Sequence, residues 1–163
     1  MQTREDDLAA KEYPGPRFRH MDEEKWREVR AQDHGGTRKS VWEKWLEIGP
    51  NAMSLVGRYD PGMMVHKHGH HSHHVIYVMS GDMTVGGVHC GPGMHITLDQ
   101  GAALGPIIAG PNGVEMYEVM MGDPRSWAAD PEGWDALLAE KGVAKLPNPP
   151  IDMPAGLTDA RST

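Results

Sequence analysis

Six of the chain's ten histidines fall within nine residues, at positions 66, 68, 70, 71, 73 and 74. A core accepts that many polar rings only if each is hydrogen-bonded, exposed or bound to an ion. In an extended strand, alternate residues share a face. His66, His68 and His70 therefore line one side of a strand. Imidazoles two positions apart lie about 6.6 Å from each other along the strand, so both can reach one ion beyond them. A further ligand must come from another strand or from beyond a turn. His71-Ser72-His73 leaves room for such a turn, after which His74, Ile76 and Val78 share a face of the next strand. The cluster reads as a metal site rather than a surface tract.

The flanking sequence reads as short strands. Val41 to Ile48 alternates, with Trp42, Lys44 and Leu46 on one face and Val41, Glu43 and Trp45 on the other. Met53 to Tyr59, Met63 to His70, Val75 to Met79, His95 to Leu98 and Val114 to Met121 follow. Met83 to Val85 and Val88 to Cys90 form a hairpin about Gly86-Gly87. The chain has 20 glycines and 13 prolines, which punctuate these runs, and 12 methionines against a single phenylalanine. Methionine must then fill the core. The expectation is an all-β barrel or sandwich.

Three regions follow: an N-terminal arm over 1–40, a barrel over 41–127, and a C-terminal helix with an extended tail over 128–163. Asp22 to Gln32 is expected to form a short helix, docked through Trp26 and Val29, with acidic residues in its first turn and Arg30 in its last. Residues 130–142 carry an N-cap (Asp130), a proline at N1 (Pro131), an apolar face (Trp134, Leu137, Leu138) and a terminating Gly142. The proline-rich tail is expected to be extended, disordered or wrapped on a neighbouring subunit.

The formal net charge is −7. Residues 1–40 are neutral overall, so the excess lies on the body, which argues against nucleic acid and an anionic membrane surface as partners; a small-molecule substrate is expected. No run approaches the roughly 20 apolar residues of a membrane span. The N-terminal stretch has no apolar run, so a secretory signal is not expected, and with one cysteine no intrachain disulfide can form, which fits a reducing cytoplasm. Cys90 is the only cysteine. It reads as a small buried hydrophobe.

Gly62, His68, His70, His74 and Gly81 resemble the first motif of the cupins, G-x5-H-x-H-x3,4-E-x6-G, with His74 where the family has glutamate. Gly93, Asp99, Gly101 and Leu104 can be laid over the second motif, G-x5-P-x-G-x2-H, with Asp99 for the proline and Leu104 for the ligand histidine. The resemblance covers about half of the chain. It implies a cupin-type jelly-roll β-barrel with a divalent metal ion in its mouth, and a homodimer. Carried over residue by residue, it implies His68, His70 and His74 as metal ligands. A fourth ligand would be water, substrate, His66 or His95; His73 takes part if the turn shifts the register by one.

An all-imidazole set leaves the ion's charge uncompensated and favours an anionic, bidentate small-molecule substrate. Imidazole suits iron, nickel, copper and zinc, with manganese a further candidate. The set resembles the three-histidine Fe(II) site of cupin dioxygenases, so oxygen-dependent cleavage is the leading expectation. A non-redox lyase or isomerase, and a non-catalytic metal- or ligand-binding cupin, are the alternatives. A lyase needs a base, for which Tyr77, Glu115, Tyr117 or Glu118 are candidates.

Overall fold

The computed structural model describes residues 13–161. Among these residues, ten antiparallel strands make one sheet that rolls into a jelly-roll barrel. They are β1 (Arg27–His34), β2 (Arg38–Ile48), β3 (Ala52–Tyr59), β4 (Met64–Val65), β5 (His68–Val85), β6 (Val88–Cys90), β7 (His95–Leu98), β8 (Ala103–Leu104), β9 (Ile107–Ala128) and β10 (Val143–Lys145), with one helix, α1 (Pro131–Lys141), before β10. The order across the sheet is β10-β1-β2-β3-β9-β5-β6, with β4 on β9 and with β7 and β8 on β5.

Two long strands organise the barrel. β5 and β9 have 18 and 22 residues and pair from His68↔Ala128 to Val85↔Ile107. Register shifts near His70, Val78 and Gly81 let them bend around the core. The core is methionine-rich, as the composition requires: Met63 and Met116 are fully buried, and Met83, Met53 and Met120 join them.

The helix expected over Asp22 to Gln32 does not form. Only a single 3-10 turn, Met21–Glu23, is helical, and Arg27–His34 is a strand paired with β2 and β10. Tertiary pairing overrides the local propensity. As a strand, Val29 and Ala31 reach the core, while Trp26 is held outside by the Arg58 guanidinium, 4.3 Å from its ring centroid. Part of the N-terminal region therefore belongs to the sheet.

Helix α1 begins and ends as its sequence dictates. Gly133 N donates to Asp130 Oδ1 (3.0 Å), Pro131 opens the first turn, and Gly142 takes a left-handed conformation. The C-terminal segment is extended and packs on its own barrel. Ile151 and Met153 lie against the core. Ala160 O accepts from Ser126 N (2.9 Å), and Arg161 donates to the carbonyls of Val29 and Pro149. No helix among the described residues is long and apolar enough to cross a membrane.

Candidate metal centre

The strand alternation inferred from the histidine run holds, but without the turn. β5 is continuous through His71-Ser72-His73, so His68, His70, Ser72 and His74 all face inward. The extra residues sit in β9 instead: His70 pairs with Ser126 and His71 with Asp123, so Pro124 and Arg125 bulge from the partner strand. The bulge frees the Pro124 carbonyl, and His70 Nδ1 lies 2.7 Å from it. His68 Nδ1 lies 2.8 Å from the carbonyl of His66. A carbonyl only accepts, so both Nδ1 atoms carry the proton and both Nε2 atoms present a lone pair. Successive rings are close, with centroids 5.3 Å apart for His68 and His70 and 4.9 Å for His70 and His74.

Burial keeps these rings neutral. Desolvation, reinforced by the neighbouring His70, pushes His68 down to about 3. Desolvation and then His74 push His70 down to about 4. Neutral imidazole is the form that binds a metal.

His74 is almost wholly buried, and its Nε2 makes a 2.9 Å hydrogen bond to Glu118 Oε2. Its Nδ1 is buried with no hydrogen-bond partner. Glu118 is positioned by β9 parity: Met116, Glu118 and Met120 face inward. On β3, Gly57 makes room for it, because a methyl group there would stand 3.2 Å from Glu118 Oε1. Gly69, between His68 and His70, is equally constrained. A side chain there would meet Trp127 and the Ala102 carbonyl at 2.5 Å.

His68, His70 and Glu118 line one cavity of about 90 Å³. Its opposite wall carries Arg30 from β1, Glu43 and Trp45 from β2, and Tyr59 from β3; Ile151, Met153 and Arg161 of the C-terminal segment cover it. Glu43 Oε2 accepts from Trp45 Nε1 (2.7 Å). Desolvation pushes Glu43 up to about 7, the nearby Glu118 adding to the effect. Desolvation likewise raises Tyr59 well above its ordinary value.

The remaining candidates fall elsewhere. His66 is buried but lines a separate cavity beside Trp134. His73 and His95 are exposed, His73 lying 3.8 Å from Asp99. With no turn in β5, nothing shifts His73 inward. Leu104 pairs directly with His68 and is buried in the core, so the position where cupins carry their last histidine is an apolar wall. Tyr77 and Tyr117 are cross-strand partners on the outer face, 44% and 37% exposed, and Glu115 shares that face. None of these three reaches the cavity, because each lies one residue out of phase with the inward set. Cys90 is buried, as a small hydrophobe, and burial raises its thiol. Glu43, Arg30 and Tyr59 were not among the site residues expected from the sequence, where Arg30 was assigned to a helix end. For Glu43 the available signal was its place between the apolar, inward Val41 and Trp45.

The donor set fits a divalent ion in part. Two Nε2 lone pairs, neutral and fixed from behind, face one cavity with a carboxylate, and His74 Nδ1 is a buried donor atom with no other use. Among the described residues, no three histidine, cysteine or carboxylate side chains form a ready-made cage. The third corner is occupied by the His74–Glu118 hydrogen bond.

The architecture is that of the cupins. It is similar to a protein from Methylibium petroleiphilum proposed to be an acetylacetone dioxygenase (TM-score 0.59, 15% identity, 80% of this chain and 97% of that one). It is also similar to the polyketide cyclase RemF of Streptomyces resistomycificus (0.54, 20%, 71% and 86%) and to an RmlC-like cupin of Shewanella frigidimarina (0.51, 17%, 66% and 92%). At these identities the likeness establishes the cupin fold, as the motif spacing implied. No protein-family model and no curated protein matches the sequence.

Proposed function

We propose that the cavity holds one divalent metal ion and that the protein is a metal-dependent enzyme acting on a small bidentate oxygenated substrate, with Fe(II)-dependent oxygenation of a β-dicarbonyl as the leading reaction. The observation that carries this reading is the pair of buried, neutral imidazoles whose Nδ1 atoms are tied to backbone carbonyls. That tie fixes the tautomer and ring orientation a metal ligand needs. His68 and His70 would supply two donors, and the His74–Glu118 pair the third. A bound Fe(II) would supply a Lewis acid and an oxygen-activating centre.

The chain's own residues do the rest. The apolar wall of Leu55, Val65 and Met120 takes the substrate's methyl or methylene groups. Ile151 and Met153 exclude bulk water. Arg30 places positive charge at the cavity, where an anionic substrate gains from it. The likeness to a proposed acetylacetone dioxygenase supports the choice of a β-dicarbonyl probe.

The test is metal analysis of untagged protein beside His70→Ala, then anaerobic Fe(II) loading and oxygen uptake with 2,4-pentanedione. Near-stoichiometric metal in the wild type, its loss in the variant and substrate-dependent uptake are expected. Equal metal content in the two proteins would overturn the site. Metal binding without oxygen uptake would turn the reading to the non-redox alternative, which the carboxyl group in the opposite wall favours.

A further inference from the structure

We propose that Glu43 is the proton-transfer residue of this cavity, taking the α-proton of a carbon acid such as a β-dicarbonyl or a 2-oxo acid seated at the histidines. The inference rests on the functional reading above and extends it to the wall facing the histidines. Glu43 projects from β2 between Val41 and Trp45, both of which line the same cavity. Trp45 Nε1 donates to Oε2 at 2.7 Å, which fixes the carboxyl group and leaves Oε1 for the substrate.

The groups around it suit this role. Arg30 on β1 and Tyr59 on β3 flank it on the same wall, Glu118 on β9 and Arg161 of the C-terminal segment line the cavity beside them, and His68 and His70 on β5 lie opposite. Arg161 is bonded to Asp159 and to two backbone carbonyls, and Glu118 to His74. Glu43 forms no ion pair among the described residues, so neither state of its carboxyl group is locked. Burial brings its titration to about 7, where a group can both take and return a proton. In the step, the substrate's C–H bond breaks and an O–H bond forms on Glu43. The C–H electron pair passes into the adjacent carbonyl as an enolate, whose charge falls toward the metal-binding wall. The neutral acid then returns its proton to product or water, with no oxidant or reductant consumed.

The test uses the full chain, with Glu43→Gln, which preserves shape and the bond from Trp45, and Glu43→Asp. The wild type should show an infrared band of a protonated carboxyl group titrating near neutral pH, and Glu43→Gln should lack it. Metal content should be equal in all three proteins. Metal-loaded wild type under nitrogen should exchange the methyl protons of pyruvate in D2O faster than the metal-free protein, as read by proton NMR. Glu43→Gln should lose about 100-fold or more of that exchange rate, and Glu43→Asp should regain part of it. Exchange by Glu43→Gln within threefold of wild type, persistence of the band in that variant, or metal-loaded wild type without exchange would each overturn the proposal. Failure of the wild type to bind metal would overturn the functional reading and appear in the metal analysis alone.

Discussion

The two walls of the cavity meet the same physical condition with opposite chemistry. On β5, burial drives His68 and His70 down to about 3 and 4, and it does the same to His66, just before the strand in the neighbouring cavity, at about 4. Across the cavity, burial drives Glu43 up to about 7. In both cases desolvation penalises the charged form, so bases lose their protons and the acid keeps its own. Burial therefore leaves unused donor atoms on one wall and a transferable proton on the other. His71 and His73 of the same strand point outward and are exposed.

The sharpest way to break the comparison is acid unfolding of the metal-free protein. The three histidines titrate lower in the folded state than their ordinary 6.5. The unfolded chain then binds more protons, and stability must fall as the pH drops from 6.5 toward 3. Each such proton contributes about 1.4 kcal/mol per pH unit, so the three buried histidines together add about 4 kcal/mol per unit near pH 5. His68→Gln should reduce the slope of unfolding free energy against pH by close to one proton, as measured by denaturant titration at several pH values. An unchanged slope would mean that His68 is not buried and neutral.

Glu43 gives the opposite slope. Its folded value lies above the ordinary 4.5, so the folded state binds the extra proton, and stability from this group declines as the pH rises from 4.5 to about 7. Glu43→Gln removes that decline. The variant should gain on wild type by up to roughly 3 kcal/mol at pH 8 and by little at pH 4.5. Equal pH profiles for the two proteins would place Glu43 in water.

The His74–Glu118 pair joins the two walls. Its 2.9 Å bond is between buried groups, so Glu118→Gln should cost about 1.5–3 kcal/mol, the range for a hydrogen bond to a charged group. It should also weaken metal binding about 10–100-fold, because Glu118 orients the ring behind the third corner. Calorimetric unfolding and metal titration check the two effects separately.

The sequence was most legible where period and punctuation agreed. Gly62, the HxH pair and Gly81 located the site strand, and Asp130, Pro131 and Gly142 located the helix. It was least legible where a partner strand decided the outcome. Asp22 to Gln32 carries helical signals, yet β2 and β10 claim Arg27–His34 as a strand. The room for a turn at His71 is instead a bulge at Pro124 and Arg125, which lie more than 50 positions downstream. Glu43 could not be ranked above Glu47 without knowing that the C-terminal segment closes the barrel over it.

The smallest expected effect tests the parity of β5 and β9 most directly. Tyr77 and Tyr117 carry ionisable hydroxyls beside the histidine run, and a one-residue slip in either strand would turn one of them into the cavity. The structure places both outside, paired with each other. Tyr77→Phe and Tyr117→Phe should therefore leave metal content and oxygen uptake within twofold of wild type, and stability within about 0.5 kcal/mol. A tenfold loss of turnover with metal retained in either variant would mean that the strand is read in the wrong phase. The inward assignments of His74 and Glu118 would then fail with it, because each is fixed by the same alternation that puts the tyrosines in water.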